Sequence, residues 1–149
     1  LTLTYAGNFN QMEVTAIHTN ELLAGKEDNY FSDREEYFLL ASAPPVKMHF
    51  NVEYATSKLN VNLRANYFGA INLINYSVEE YTYSPKTTLD ASIGYDITSN
   101  MHLTIGGTNL LNTYPDDTDP YETETGGAWD AVQMGFNGLF MYSKLGFKF

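Results

Sequence analysis

Apolar and polar residues alternate with a period of two along the last part of the sequence, residues 131–149. One parity holds Leu139, Met141, Leu145, Phe147 and Phe149, and the other holds Gly138, Tyr142, Lys144, Gly146 and Lys148. Ser143 interrupts the apolar parity. This period predicts a β-strand with one apolar face and one mixed polar face. Such a strand is typical of a β-sheet that spans a membrane, because its outward face contacts lipid.

The same alternation recurs in five earlier segments, so the sequence predicts six strands. The earlier strands are predicted at residues 1–9, 47–54, 59–68, 89–97 and 101–111. The third is the clearest, since apolar side chains at the odd positions alternate with polar ones from Asn60 to Asn66. After Phe9 the apolar parity shifts to Met12, which predicts the end of a strand or a bulge near residues 10–11.

Short and long connections alternate between the predicted strands. Two are tight turns, at residues 56–58 and 99–100, and three are long, at residues 18–45, 69–86 and 112–130. The long connections hold 14 of the 18 acidic residues but only three of the eight basic ones. We expect the first to be a large loop that folds back on itself and is closed by the stiff pair Pro44-Pro45. Short turns at one end of a sheet and long loops at the other are typical of outer-membrane β-barrels.

Composition excludes several other classes of protein. No stretch approaches the ~20 consecutive apolar residues of a membrane helix, and the absence of cysteine excludes disulfides and thiolate metal sites. A net charge of −10 argues against binding to nucleic acid. No catalytic triad spacing, phosphate loop or paired-carboxylate motif is present, so we expect that the chain is not an enzyme. Leu1 is not an initiator Met and no signal-peptide pattern follows, so we expect a processed chain or a piece of a longer one.

Three stretches resemble the C-terminal barrel of TonB-dependent outer-membrane receptors. Residues Leu103–Asp116, LTIGGTNLLNTYPD, resemble the family's penultimate strand, and Thr87–Tyr95, TTLDASIGY, resemble the strand before it. The terminal LGFKF resembles the closing strand, whose last aromatic residue, here Phe149, serves as an assembly signal in such proteins. The first long connection, with Ala43-Pro44-Pro45 before the next strand, resembles that of receptors from the Bacteroidetes.

The resemblance implies that residues 1–149 are the C-terminal portion of a receptor barrel. The expected fold is all-β, with about six antiparallel transmembrane strands in a large outer-membrane barrel of about 22 strands with a plugged lumen. The implied function is import of a scarce nutrient, such as siderophore-iron, haem, cobalamin or a glycan, across the bacterial outer membrane. The implied partners are outer-membrane lipid, the rest of the receptor with its plug domain, TonB through the missing N-terminal part, and the barrel assembly machinery. Six strands cannot close so large a barrel, and open sheet edges are not tolerated in lipid.

Aromatic and acidic residues of the long connections are the candidate binding residues. The aromatic candidates for ligand contact are Tyr30, Tyr81, Tyr83, Tyr121 and Trp129. Such side chains can stack on a sugar, haem or siderophore, or they can fill a membrane girdle and the interior of the loops. Asp116, Asp117 and Asp119 can bind Ca²⁺ or another hard cation, although their spacing is not that of an EF-hand and exposed acidic loops are usually only solvated. No other cofactor is expected.

The charged residues on the polar parity of the predicted strands at residues 47–54 and 59–68 have a simpler interpretation than ligand binding. His49 and Arg64 share a predicted hairpin and one face with Lys47 and Glu53, so we interpret them as a charge network on the lumen wall that contacts the plug. Two other functions stay open. A passive outer-membrane channel has the same strands and loops without a plug, and a soluble all-β carbohydrate-binding module also alternates. The soluble module buries its apolar face inside, whereas a barrel needs detergent for extraction.

Overall fold

The computed structural model describes residues 1–41, 44–130 and 133–149, and within them the chain is largely β-structure. The strands are β1 (Thr2–Phe9), β2 (Val46–Ala55), β3 (Leu59–Phe68), β4 (Ile71–Ile74), β5 (Glu80–Tyr83), β6 (Lys86–Thr98), β7 (Met101–Thr108) and β8 (Phe140–Phe147). The helical elements are the α-helix α1 (Asp33–Ala41) and short 3-10 helices at Glu27–Asn29 and Pro120–Glu122.

Six of the strands form one antiparallel sheet in the order β1-β2-β3-β6-β7-β8. These are the six strands that the sequence predicts, and each one pairs with its neighbour in that series. Tight turns join β2 to β3 and β6 to β7 at one end of the sheet. The three long connections all leave the opposite end, because each follows a strand that runs in the same direction. The prediction of an all-β fold is confirmed.

The strand register collects apolar side chains on one face of the sheet. In the middle of β3, Leu63 lies opposite Val52 and Ala91, while its neighbour Arg64 lies opposite Asn51 and Asp90. Because side chains alternate between faces, the same division extends across all six strands. We call the two sides the apolar face and the polar face. The apolar face is open, and Leu63 is 42% exposed.

Two long connections contain more regular structure than the sequence predicts. The first contains α1, and at its start the Ser32 N–H donates to Glu35 Oε2 at 2.8 Å, which is one of the two hydrogen bonds of a capping box. The second contains the two-stranded sheet β4–β5. The expectation that the first connection is only a loop is therefore wrong, because capping and tertiary contacts stabilise a nine-residue helix.

Several strand boundaries also differ from the predicted ones. β1 ends at Phe9, which agrees with one of the two alternatives predicted there, and an unpredicted register shift lies between Asp96 and Thr98. The seventh strand ends at Thr108, three residues early, because Asn109 adopts a left-handed conformation with φ 49°. The last strand begins only at Phe140. Parts of two predicted features, residues 42–43 and 131–132, lie outside the described residues.

Candidate functional site

The three long connections pack together into one unit beyond the end of the sheet. Its apolar centre consists of Ala41 from α1, Ile71 and Leu73 from β4, and Tyr83 from β5. Phe38, Tyr81 and Trp129 pack around this centre. We call this unit the loop body, and it comprises residues 33–41, 71–83 and 114–130. Leu73 is completely buried, whereas the six-stranded sheet leaves its apolar face open, so the dry core of the described chain lies in the connections.

Arg34 is the ionic centre of the loop body. Its guanidinium lies between two aromatic rings, 4.6 Å from the centroid of Phe38 and 4.1 Å from that of Tyr76. It forms an ion pair with Glu124, and its Nη2 lies 3.7 Å from Oδ2 of Asp130. Arg34 therefore joins all three connections through cation–π and ionic contacts.

Burial and hydrogen bonding shift the pKa values of the two carboxylates beside Arg34 in opposite directions. The hydrogen bond from Arg34 lowers the pKa of Glu124, so this carboxylate stays ionised. Burial raises the pKa of Asp130, whose side chain is only 1% exposed. The Asp130 Oδ1 accepts a hydrogen bond from the Glu124 N–H at 3.0 Å, and its own N–H donates to the Tyr83 hydroxyl at 3.1 Å. Asp130 therefore depends on Arg34 for a compensating charge.

The predicted ligand-contacting aromatics fall into two groups. Tyr81, Tyr83 and Trp129 lie within the loop body, and Tyr83 is only 1% exposed. Trp129 stacks with two rings, with centroid distances of 5.6 Å to Tyr114 and 5.5 Å to Phe136. Part of the Trp129 indole surface is therefore already used in contacts within the chain.

The other two aromatic candidates lie on the surface. Tyr30 is 44% exposed and Tyr121 is 91% exposed, so both can reach a ligand without any movement of the loop body. The structure brings neither ring into the cluster of Tyr81, Tyr83 and Trp129. Ligand contact stays a prediction for all five residues.

The three predicted metal-binding carboxylates do not converge in the structure. Asp116 accepts hydrogen bonds from Ser84 and an ion pair from Lys86, so local donors already occupy its oxygens. Asp119 Oδ1 accepts from the N–H of Tyr121 and caps a 3-10 helix. Among the described residues there is no cluster of three or more histidine or carboxylate groups that can hold a metal ion. Calcium binding at Asp116, Asp117 and Asp119 stays a prediction, and it requires that Lys86 be displaced.

The ion pair of Asp116 is expected to make the base of the loop body sensitive to acid. Burial alone would raise the pKa of Asp116, but hydrogen bonds from Lys86 and Ser84 outweigh burial and lower it to about 2. An unfolded aspartate has a pKa of about 3.9. The stabilising effect is therefore complete above about pH 4 and is lost as the pH falls toward about 2. Because the carboxylate is 40% exposed, the loss should stay below about 1 kcal/mol.

Residue-resolved hydrogen exchange at the amides of Ser84 and Lys86, corrected for the intrinsic exchange rate at each pH, tests this expectation. Asp116→Asn should remove the acid-dependent part of the opening free energy. The matched control is Asp117→Asn, which removes an adjacent carboxylate that forms no ion pair with Lys86. Equal pH profiles for the wild type and Asp116→Asn would contradict the assignment.

A chain of side-chain hydrogen bonds connects the polar face with the end of β7. The Asn66 Oδ1 lies 2.7 Å from His49 Nδ1, and its Nδ2 donates to Thr88 and to Asp90 Oδ2. The Asp90 Oδ1 accepts from the Asn109 N–H at 2.9 Å. Asn66 and Thr88 are each 8% exposed, so this end of the polar face is covered. Hydrogen bonds of this kind keep buried polar groups satisfied.

Two asparagines stabilise the turn within Leu103–Asp116, the stretch that resembles the penultimate strand of the receptor family. Asn109 exchanges two hydrogen bonds with the backbone of Thr113, at 2.8 and 2.9 Å. Asn112, with φ 51°, accepts a hydrogen bond from the Leu139 N–H at 2.9 Å. Asparagine tolerates the left-handed conformation that both positions adopt. The stretch Leu103–Asp116 therefore anchors the third connection to the start of β8.

A cavity with a volume of about 470 Å³ opens between the loop body and the end of β1. It is lined by Asn10, Gln11, Met12, Tyr37, Leu40, Ala41, Pro45, Ala70, Ile71 and Asn72. None of these side chains carries a charge, although the chain as a whole is strongly acidic. The cavity falls within the usual size range of small-molecule sites. It can accept an uncharged ligand group that mixes apolar surface with hydrogen-bonding atoms.

Comparison with solved structures finds outer-membrane receptors. The chain is similar to the siderophore receptor PirA from Acinetobacter baumannii, with a TM-score of 0.54 and 15% identity over 72% of this chain. It is also similar to the pyoverdine outer membrane receptor FpvA from Pseudomonas aeruginosa, with a TM-score of 0.51 and 14% identity over 73% of this chain. The chain spans only 16% of the length of either receptor. No family model and no curated protein matches the sequence.

These likenesses concern the fold. The chain has an all-β architecture similar to the barrels of outer-membrane receptors. Neither likeness supports the predicted resemblance of the first connection to receptors of the Bacteroidetes. None of the helices in the described part of the chain is long and apolar enough to cross a membrane.

Proposed function

We propose that residues 1–149 form the C-terminal portion of the barrel of a TonB-dependent outer-membrane transporter that imports a scarce nutrient. The observation that carries this proposal is the six-stranded meander with one continuous apolar face, whose three long connections all lie at one end. Such a sheet satisfies its inner backbone hydrogen bonds and presents an apolar surface to lipid. The two similar structures are receptors of this membrane.

The loop body supplies the outer face of the proposed transporter. Its exposed aromatics and the cavity of about 470 Å³ are candidates for the first contact with a ligand. PirA is named as a siderophore receptor and FpvA as a pyoverdine receptor, so a siderophore-iron complex is the first substrate to test. Haem, cobalamin and glycans stay open. We further propose that the rest of the receptor, including a plug and a TonB-contacting segment, lies outside residues 1–149, and that the exposed Phe149 acts as the signal for the barrel assembly machinery.

Uptake by the full-length protein in its native membrane tests the proposal. A strain that lacks the gene should lose accumulation of radioactive iron from one member of a panel of ferric siderophores, or of the equivalent haem, cobalamin or glycan probe. Restoration should require both the full-length gene and a functional TonB. Energy-independent uptake would favour the passive channel. Recovery of the protein without detergent in the soluble fraction would favour the carbohydrate-binding module.

A further inference from the structure

Three side chains of the loop body have buried polar atoms without a hydrogen-bond partner in the described part of the chain. These atoms are Nε and Nη2 of Arg34, Oδ2 of Asp130 and the hydroxyl oxygen of Tyr81. Nε and Nη2 form one edge of the planar guanidinium, and both carry N–H donors. Glu124 accepts only from the remaining nitrogen, Nη1. Folded proteins leave few buried polar atoms unsatisfied, so this group of atoms calls for a partner.

The three side chains lie close together but do not hydrogen-bond to one another at these atoms. Nη2 of Arg34 lies 3.7 Å from Oδ2 of Asp130, whereas a direct N–H···O hydrogen bond extends to about 3.2 Å. Burial has the largest influence on the pKa of Asp130 and raises it, while Arg34 and Tyr81 are among the groups that lower it. Burial also raises the pKa of Tyr81, which Asp130 raises further and Arg34 lowers. Each of the three groups is therefore within electrostatic range of the other two.

One water molecule fits both the spacing and the chemistry of these groups. Two hydrogen bonds of about 2.8 Å that meet at one oxygen join atoms up to about 5.6 Å apart, so a separation of 3.7 Å is within reach. The guanidinium only donates and an ionised carboxylate only accepts, so a bridging group must accept from Arg34 and donate to Asp130. The Tyr81 hydroxyl can do either. It completes the set of about three hydrogen bonds that a buried water typically forms.

The same groups disfavour an ion in place of water. A hard cation needs a shell of oxygen ligands, whereas two of the unsatisfied atoms are N–H donors. An anion would lie beside the carboxylates of Asp130 and Glu124. Solvent also has space beside the guanidinium, because a cavity of about 240 Å³ is lined by Asp28, Ser32, Asp33, Arg34, Ile74 and Val78. One water takes up about 30 Å³ in the liquid, so this cavity has room for several.

We propose that a buried water molecule bridges Arg34, Asp130 and Tyr81 inside the loop body. The water accepts a hydrogen bond from the guanidinium edge, donates one to Asp130 Oδ2 and forms a third with the Tyr81 hydroxyl. Because the three side chains come from the three long connections, this single site joins all of them. The inference concerns contacts within the loop body, so it does not depend on the proposed function.

Residue-resolved hydrogen exchange of the full-length protein tests this proposal through Tyr81→Phe. Loss of a hydroxyl that hydrogen-bonds a buried water should speed exchange of the β4 and β5 amides about fivefold. Loss of a hydroxyl that has no partner should instead leave these rates unchanged or lower them. The matched control is Tyr30→Phe, which removes the same group from a ring that is 44% exposed and should not change the rates. Amides of β3 and β6 should keep their wild-type rates in both variants.

A structure of the full-length protein at a resolution that shows ordered water separates a water bridge from a direct contact. The expected result is one ordered water within about 3.2 Å of Arg34, Asp130 Oδ2 and the Tyr81 hydroxyl. This water should be lost in Tyr81→Phe and retained in Tyr30→Phe. Three results would overturn the proposal: a direct hydrogen bond from Arg34 to Asp130 Oδ2 with no water between them, an ion or a ligand group in the same place, or unchanged or slower exchange in Tyr81→Phe.

Discussion

Replacing Arg34 with alanine is expected to open the loop body while the six-stranded sheet stays folded. The substitution removes the cation between Phe38 and Tyr76 and leaves Asp130, with a side chain only 1% exposed, without a compensating charge. Loss of one partner from a buried ionic contact costs about 3 kcal/mol, which corresponds to roughly a hundredfold change in the opening equilibrium. The cost is confined to the connections, because the strand pairs do not depend on Arg34.

Residue-resolved hydrogen exchange of the full-length protein measures this effect. Amides of β4 and β5 should exchange roughly a hundredfold faster in Arg34→Ala, while amides of β3 and β6 should be unchanged. Lys26→Ala is the matched control, since Lys26 lies in the same connection and forms no ion pair with any residue that the structure describes. Equal exchange in the two variants would show that Arg34 does not hold the connections together. Loss of protection throughout the sheet would show that the loop body and the sheet are one cooperative unit.

The second large effect is expected from an arginine on the apolar face. Leu63 lies at the centre of β3 and is 42% exposed, with Val52 and Ala91 beside it. If this face contacts lipid, Leu63→Arg places a charge in the hydrocarbon region and costs about 2–4 kcal/mol. The amount of folded protein in the outer membrane should fall accordingly, as measured by heat-modifiable migration after extraction with detergent.

The neighbouring position provides a matched control for Leu63→Arg. Asn62 belongs to the polar face, where it lies opposite Glu53. Asn62→Arg should therefore leave the amount of folded protein nearly unchanged, because a cation beside a carboxylate in a polar lumen is tolerated. Equal tolerance of both substitutions would contradict the lipid-facing assignment. A loss in Leu63→Arg together with detergent-free solubility of the wild type would place the apolar face inside a soluble protein.

Local patterns predicted the sheet well and the connections poorly. The six strands follow from the period of two, and both tight turns follow from the short polar segments between strands. Pairing with any neighbouring strand favours the same alternation of side chains between the two faces. The helix α1 lacks a marked apolar stripe, and its one local start signal is Glu35 three residues after Ser32, which is too short a pattern to predict a helix. The sheet β4–β5 is short, with four residues in each strand, so its pattern does not stand out without a partner.

For the candidate site, the sequence predicted the types of residue but not their contacts. The acidic character of the long connections and their aromatic residues could be seen in the sequence, and they suggested ligand or metal contacts. Sequence separation concealed that Arg34 meets Glu124, 90 residues away, and that Trp129 stacks with Tyr114 and Phe136. The same holds for Asp116, which pairs with Lys86. Such contacts depend on how three connections fold over one end of the sheet, which no local period encodes.

The sequence alone determined the all-β architecture, the number of sheet strands, the two faces and the end from which the long connections leave. These features follow from side-chain alternation, because a shift of one residue would place every apolar side chain on the wrong face. Only the tertiary structure decided that the dry core lies in the connections and that Arg34 joins them. These outcomes depend on distances between groups far apart in sequence, and burial sets their energies.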